Sequence, residues 1–189
     1  MGKIGIDMVN VSGTVLYTNK LYVQKKLGEE ALQRILERVE KKTRDTISRP
    51  IQSGQMYNLE IFLDFLDVMV EEYGWETLAD SAYFAAHRQF KGLFGLVLKV
   101  VRPQKIMSQA NQMWRKSYDS GQLTVEEFSD SAVRLRVTDF AFTDALRKGE
   151  EYFLKEMIRL ILKKKIIRSE SRSEGYMNTL FVFELGEKE

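Results

Sequence analysis

The spacing of apolar residues changes once along this chain, and that change decides what it can fold into. From Asn58, the residues Leu59, Phe62, Leu66, Met69 and Tyr73 return every three or four positions, with Glu60, Asp64, Asp67 and Glu71 on the opposite face. That is the pattern of an amphipathic helix. Gly74 closes the run, and a second helix from near Trp75 carries Ala82, Ala86, Phe90, Leu93 and Val97 to about Val101. Pro103, which suits a first helical turn, opens a third with Ile106, Ala110, Met113, Trp114 and Tyr118, stopped by Asp119-Ser120-Gly121. The period then becomes two. Val133, Leu135 and Val137 alternate with Arg134, Arg136 and Thr138, a strand with one buried face. Leu123 to Phe128 supplies its antiparallel partner, turned at Ser129-Asp130. Thr143 caps a long helix with Leu146, Phe153, Met157, Leu160 and Ile161, and Lys163, Lys164 and Lys165 suit its C-terminal end. A last hairpin, Ile166 to Arg172 and Tyr176 to Leu185, turns at Ser173-Glu174-Gly175.

Upstream the pattern is weaker. Ile4, Ile6, Met8, Val11 and Val15 suggest an extended segment broken at Gly13. Asn19 is expected to cap a helix with Leu21, Val23 and Leu27, which Gly28 interrupts before Leu32, Ile35, Leu36 and Val39 resume. The polar stretch Lys41 to Gln55, with Pro50 and Gly54, reads as a loop. The expectation is an α+β chain forming a single domain over 1–189. Its mainly helical part is 1–121, and its sheet part, 122–189, is an antiparallel sheet of about four strands crossed by one helix (ββαββ).

Composition narrows the chemistry. The absence of cysteine excludes disulfides, zinc ribbons, cysteine-held iron–sulfur clusters and thiol nucleophiles, and fits a cytoplasmic setting. A net charge of +2 with 30% charged residues argues against a general nucleic-acid binder. Met1 to Val11 mixes Lys3 and Asp7 into its apolar residues and lacks a signal-peptide core. No run approaches the ~20 apolar residues of a membrane span.

His87 is the only histidine. It reads as a haem ligand, a base, or a hydrogen-bonded structural residue. Glu60, Asp64, Asp67 and Glu71 share one helix face, as a divalent-metal site or as an ordinary solvated stripe. Gly92 and Gly95 lack the strand-then-helix context and the lysine of a phosphate loop. Arg134, Arg136, Arg168 and Arg172 would share a basic sheet face, were their strands neighbours. Phe62, Phe65, Leu66, Met69, Phe84, Phe90 and Phe94 crowd two consecutive helices beside His87. An apolar surface that broad suits a core, a dimer interface or a pocket for an apolar ligand. No nucleophile lies with a base in any recognisable motif, so no catalytic residue is assigned.

Three segments resemble a known superfamily. Val11-Ser12-Gly13-Thr14-Val15-Leu16 looks like the opening of the small sensor domains that join haem nitric-oxide-binding domains to vinyl-reductase-type ligand-binding domains. Gln112 to Gly121 resembles the tryptophan–arginine helix and tyrosine–aspartate turn of a bacterial branch, and Ala132 to Phe140 resembles the strand that follows. The resemblance covers about Val11 to Leu185 and implies N-terminal helices before a C-terminal sheet. In haem-binding members it further implies a histidine on the helix before the sheet and a Y-x-S-x-R motif for the propionates. The corresponding helix here, Gln104 to Tyr118, holds no histidine, and the chain contains no Y-x-S-x-R. The expected function is therefore a sensor or regulatory adaptor without haem or other cofactor. It would bind a small apolar ligand or a signalling protein and pair as a homodimer. A haem gas sensor through His87, or a nucleic-acid-associated regulator using the arginine face, is the alternative.

Overall fold

A computed structural model describes residues 9–89 and 102–188. A short ribbon of β1 (Asn10–Ser12) and β2 (Met56–Asn58) pairs antiparallel. The helical half follows from it: α1 (Gly13–Tyr22), a π-helical turn at Val23–Leu27, α2 (Glu29–Arg38), α3 (Lys41–Ile47) and α4 (Leu59–Gln89). Gly74 (φ 80°, ψ 173°) divides α4 into two helical stretches, where the loss of apolar period predicts it. Then come α5 (Pro103–Met107), α6 (Ala110–Ser117), β3 (Gln122–Phe128), β4 (Ala132–Thr138), α7 (Asp144–Leu162), β5 (Lys164–Ser173) and β6 (Thr179–Lys188). The four-stranded sheet has the order β3-β4-β6-β5, antiparallel throughout, with α7 between its two hairpins. The fold is the expected α+β arrangement. No helix among the described residues is long and apolar enough to cross a membrane.

Local chemistry explains most boundaries. Thr143 Oγ1 accepts from the Leu146 amide at 3.2 Å, capping α7, and Lys163 ends it in the left-handed region. Leu135 pairs with Phe181 and Val133 with Phe183. All four side chains are buried, so the central strands carry the sheet's share of the core. Glu151 is 2% exposed and fastens α7 to β5. Ser169 Oγ and Ser171 Oγ donate to it at 3.0 and 2.6 Å, and Lys148 Nζ at 2.9 Å. Burial alone would raise its pKa, yet these donors together hold it below the usual carboxylate value.

Three expectations are corrected. Asn19 caps nothing: α1 already begins at Gly13, and Asn19 is buried within it. Its Nδ2 donates to the Val15 carbonyl at 3.0 Å and its Oδ1 accepts from Ser81 Oγ at 2.8 Å. Lys41 to Gln55 is not all loop, because α3 occupies Lys41–Ile47. Only Thr43 and Ile47 of α3 are buried, so it lacks an apolar period to read. Arg44 instead donates to the Leu36, Glu37 and Val39 carbonyls, closing the C-terminus of α2. The third predicted helix is two, since α5 and α6 part at Ser108-Gln109. Ile4, Ile6, Met8 and the run from Phe90 to Val101 lie outside the described residues.

Candidate functional site

Between the helical half and the sheet lies a cavity of about 120 Å³. Its wall takes Val15 from α1, Phe62 and Ala82 from the two stretches of α4, Trp114 from α6, Phe153 from α7 and Leu135 from β4. One structural half thus supplies one side and the sheet with α7 the other. The lining is apolar except for a few groups, and those are informative. Asn19 is engaged as described, and Trp114 Nε1 donates to the Ser120 carbonyl at 2.9 Å. Among the described residues, the lining includes no arginine, lysine or histidine.

Among the described residues, the titratable groups of the lining are Tyr118 and Glu150. Tyr118 is 1% exposed and its hydroxyl donates to Glu150 Oε1 at 2.6 Å. Burial, and then the neighbouring carboxylate, push the phenol well above its ordinary value, so it stays protonated and remains the donor. Glu150 is half-buried. Burial pushes its carboxyl up to about 7, against the lowering effect of the Tyr118 hydrogen bond. Among the described residues it has no second side-chain partner.

A pH dependence follows with a definite sign. A carboxyl at about 7 when folded and 4.5 when free favours the folded state in its protonated form. That contribution is complete below about pH 4.5 and is lost as the pH rises through 7. After allowance for incomplete burial it is on the order of 2 kcal/mol. Urea unfolding of the protein and of Glu150→Gln at pH 5, 6, 7 and 8 should show the parent falling relative to the variant. A constant difference across that range would refute the assignment.

Tyr118 is held from two directions. Trp114 lies 4.5 Å from it, ring to ring, and Phe140 5.0 Å, and Phe142 and Phe181 continue the aromatic row into the sheet. Behind it, Tyr118 bridges Val11, and Asp119 takes hydrogen bonds from the Asn10 amide (2.8 Å) and Nδ2 (2.6 Å). Two of the three segments that carry the family resemblance therefore meet. The opening strand is bound to the tyrosine–aspartate turn, and the pair orients the tyrosine at the cavity.

The sequence candidates are dispersed. Phe62 and Leu66 line the cavity. Phe65 and Met69 are fully buried in the continuous core. Phe84 is half-buried and rests on Tyr22 with ring centres 5.8 Å apart. His87 is exposed, and its Nε2 lies 2.7 Å from Glu156 Oε1, a carboxylate also held by Arg159. Phe90 and Phe94 lie outside the described residues. The acidic stripe of α4 is divided: Lys42 lies at Glu60, Arg38 at Glu71, and the Glu40 amide at Asp64. No cluster of three metal-binding side chains forms among the described residues. The arginine strands are not neighbours, for β6 runs between β4 and β5. Arg134 pairs with Glu127, Arg136 with Glu126 and Glu174, Arg168 with Glu170 and Arg172 with Glu174. Each guanidinium lies by a carboxylate, an interleaving unlike a phosphate-binding stripe.

Glu150 and Tyr118 were not among the sequence candidates. Glu150 had a signal, for it stands four residues after Leu146, three before Phe153 and seven before Met157, inside the apolar stripe of α7.

No protein-family model matches this sequence, and no curated protein matches it. Solved structures do match in shape. An H-NOX protein from K. algicida, Fe(II) unliganded, superposes with a TM-score of 0.69 at 14% identity, over 94% of this chain and 97% of that one. An H-NOX protein from S. oneidensis gives 0.67 at 12% identity, over 94% and 97%. An oxygen-binding H-NOX domain related to soluble guanylate cyclases gives 0.65 at 10% identity, over 94% and 96%. Over nearly its whole length, this chain is similar in fold to the H-NOX domains.

Proposed function

We propose that the chain is a non-enzymatic sensor or regulatory domain that takes a small apolar molecule into the cavity between its helical half and its sheet. The cavity itself carries this reading. Its volume is about 120 Å³, near the roughly 150 Å³ at which an apolar protein cavity admits benzene. Its position suits signalling, since α4, α6, α7 and the sheet all contribute to the wall, and an occupant would bear on each. Among the described lining residues, the hydroxyls of Thr18 and Ser117 have no histidine, cysteine or lysine beside them, and the one carboxyl, Glu150, is bonded to Tyr118.

The H-NOX fold implies haem, and the residues present do not fit it. Iron is held in proteins by histidine, cysteine, methionine or tyrosine. The chain has no cysteine, and its one histidine is outside the lining and engaged with Glu156. Tyr118 is committed to Glu150, and no arginine or lysine among the described lining residues would meet the propionates. Methionine thioethers alone remain. Added haem should therefore give no band that His87→Ala abolishes.

The test of the apolar-ligand reading is native mass spectrometry of freshly purified protein beside its denatured mass, followed by titration with toluene. Binding in the micromolar to millimolar range is expected, and Ala85→Phe, which places a ring at the cavity wall, should weaken it at least about tenfold, or 1.4 kcal/mol. Equal titration of parent and variant would remove the cavity as the site.

A further inference from the structure

We propose that the cavity selects amines: its ligand has an apolar body of about one ring and a basic nitrogen, which Glu150 binds. This rests on the cavity being a ligand site and names the chemistry that site recognises. Three observations carry it. Glu150 lines the cavity from the middle of an otherwise apolar helix face. Such a position disfavours a carboxyl unless a partner meets it. Tyr118 meets one oxygen only, at 2.6 Å, and no other side chain of the described residues bonds to the second. Finally, the described lining residues include no cation, so an ammonium entering the cavity meets no like charge among them, whereas a carboxylate ligand would meet Glu150 with no counter-ion from them.

The charged groups next to Glu150 on α7 are turned elsewhere. Arg147 bonds Ser171 and Asp144, Lys148 bonds Glu151, and Glu151 bonds β5. From α6 the facing group is Tyr118, which stays protonated and holds Oε1 in place. Among the described residues, no other element contributes a titratable side chain to the lining. The arrangement is a one-point anchor on an apolar cup. The phenol fixes the carboxyl's rotamer, and the free oxygen is left for the ligand's N–H. With the apolar wall excluding water, an ion pair formed there is screened less than one at the surface.

The test uses four probes that share one ring: toluene, benzyl alcohol, benzylamine and benzoate, titrated into the full chain by calorimetry at pH 8. Benzylamine is expected to bind at least about tenfold tighter than toluene, a difference of 1.4 kcal/mol, and benzoate not at all. At pH 5, where Glu150 is protonated, the amine's advantage should fall to about twofold or less. Glu150→Gln, checked for folding by circular dichroism, should bring the ratio of benzylamine to toluene affinity at pH 8 down to about twofold or less. The wild-type pH series decides the matter even where that variant fails to fold. Toluene binding with no amine preference, or with benzoate the tightest probe, would overturn the assignment of ligand class while leaving the cavity reading intact. Failure of all four probes to bind would overturn both.

Discussion

A Gly13→Ala chain is expected to lose at least about 3 kcal/mol of stability, seen as a lowered urea midpoint with little change in slope. A methyl on Gly13 would fall 2.1 Å from the Gln52 carbonyl oxygen and 2.9 Å from Tyr57 Cε2. The first neighbour is backbone, so no rotamer change relieves the clash. Nor can the segment slide. The Gly13 amide donates to the Gln55 carbonyl at 2.7 Å, Ser12 is in register with Met56, and Tyr57 Oη accepts from the Gln52 amide at 2.9 Å. Relief would require unseating the ribbon from which α1 starts. Gly54→Ala is the control, because a methyl there meets nothing within 4 Å. It should change stability by no more than about 0.5 kcal/mol. Similar midpoints for the two variants would show that the 50–57 segment yields more readily than its contacts imply.

Trp114→Ala should cost about 3–5 kcal/mol, the range for removing a large aromatic side chain from a core. Trp114 is 4% exposed, with Tyr118, Phe140 and Phe142 around it at ring separations of 4.5, 5.0 and 6.1 Å. Its removal also leaves the Ser120 carbonyl without the indole donor. The same side chain lines the cavity, so the vacated space joins it. Where the variant still folds, preference among apolar probes should move from one ring towards two fused rings. A loss below about 1 kcal/mol, or unchanged probe preference, would show that neighbouring side chains collapse into the gap.

What could be read from the sequence divides along physical lines. The sheet and α7 were legible because each announces itself locally: alternation at Val133, Leu135 and Val137, a capping Thr143, and stop signals at Gly74 and Gly121. The α3 helix and the role of Asn19 were not, because both depend on partners elsewhere, Arg44 on the α2 carbonyls and Asn19 on Ser81. Period left one question open. A broad apolar surface on α4 suited a core, a dimer interface or a pocket. In the fold, helices cover α4 on more than one side, so Phe65 and Met69 are core while Phe62 and Leu66 face the cavity. Glu150 was legible in principle, as an acid inside an apolar stripe. Tyr118 was not: its neighbours come from α7, β1 and the row of Phe140, Phe142 and Phe181, which local spacing cannot assemble.

The tie between Asn10 and Asp119 spans 109 positions of the chain. Closing so long a loop costs entropy before it returns any contact, though each doubling of length adds only about 0.6 kcal/mol. The helices and hairpins between and beyond the two residues form from nearer neighbours, so this clasp is expected to close late on the folding path. It therefore acts on lifetime more than on speed of assembly. Loosening it at Asn10 is read in a faster unfolding rate at an unaltered refolding rate, and the opening strand is a fastener for an already assembled body.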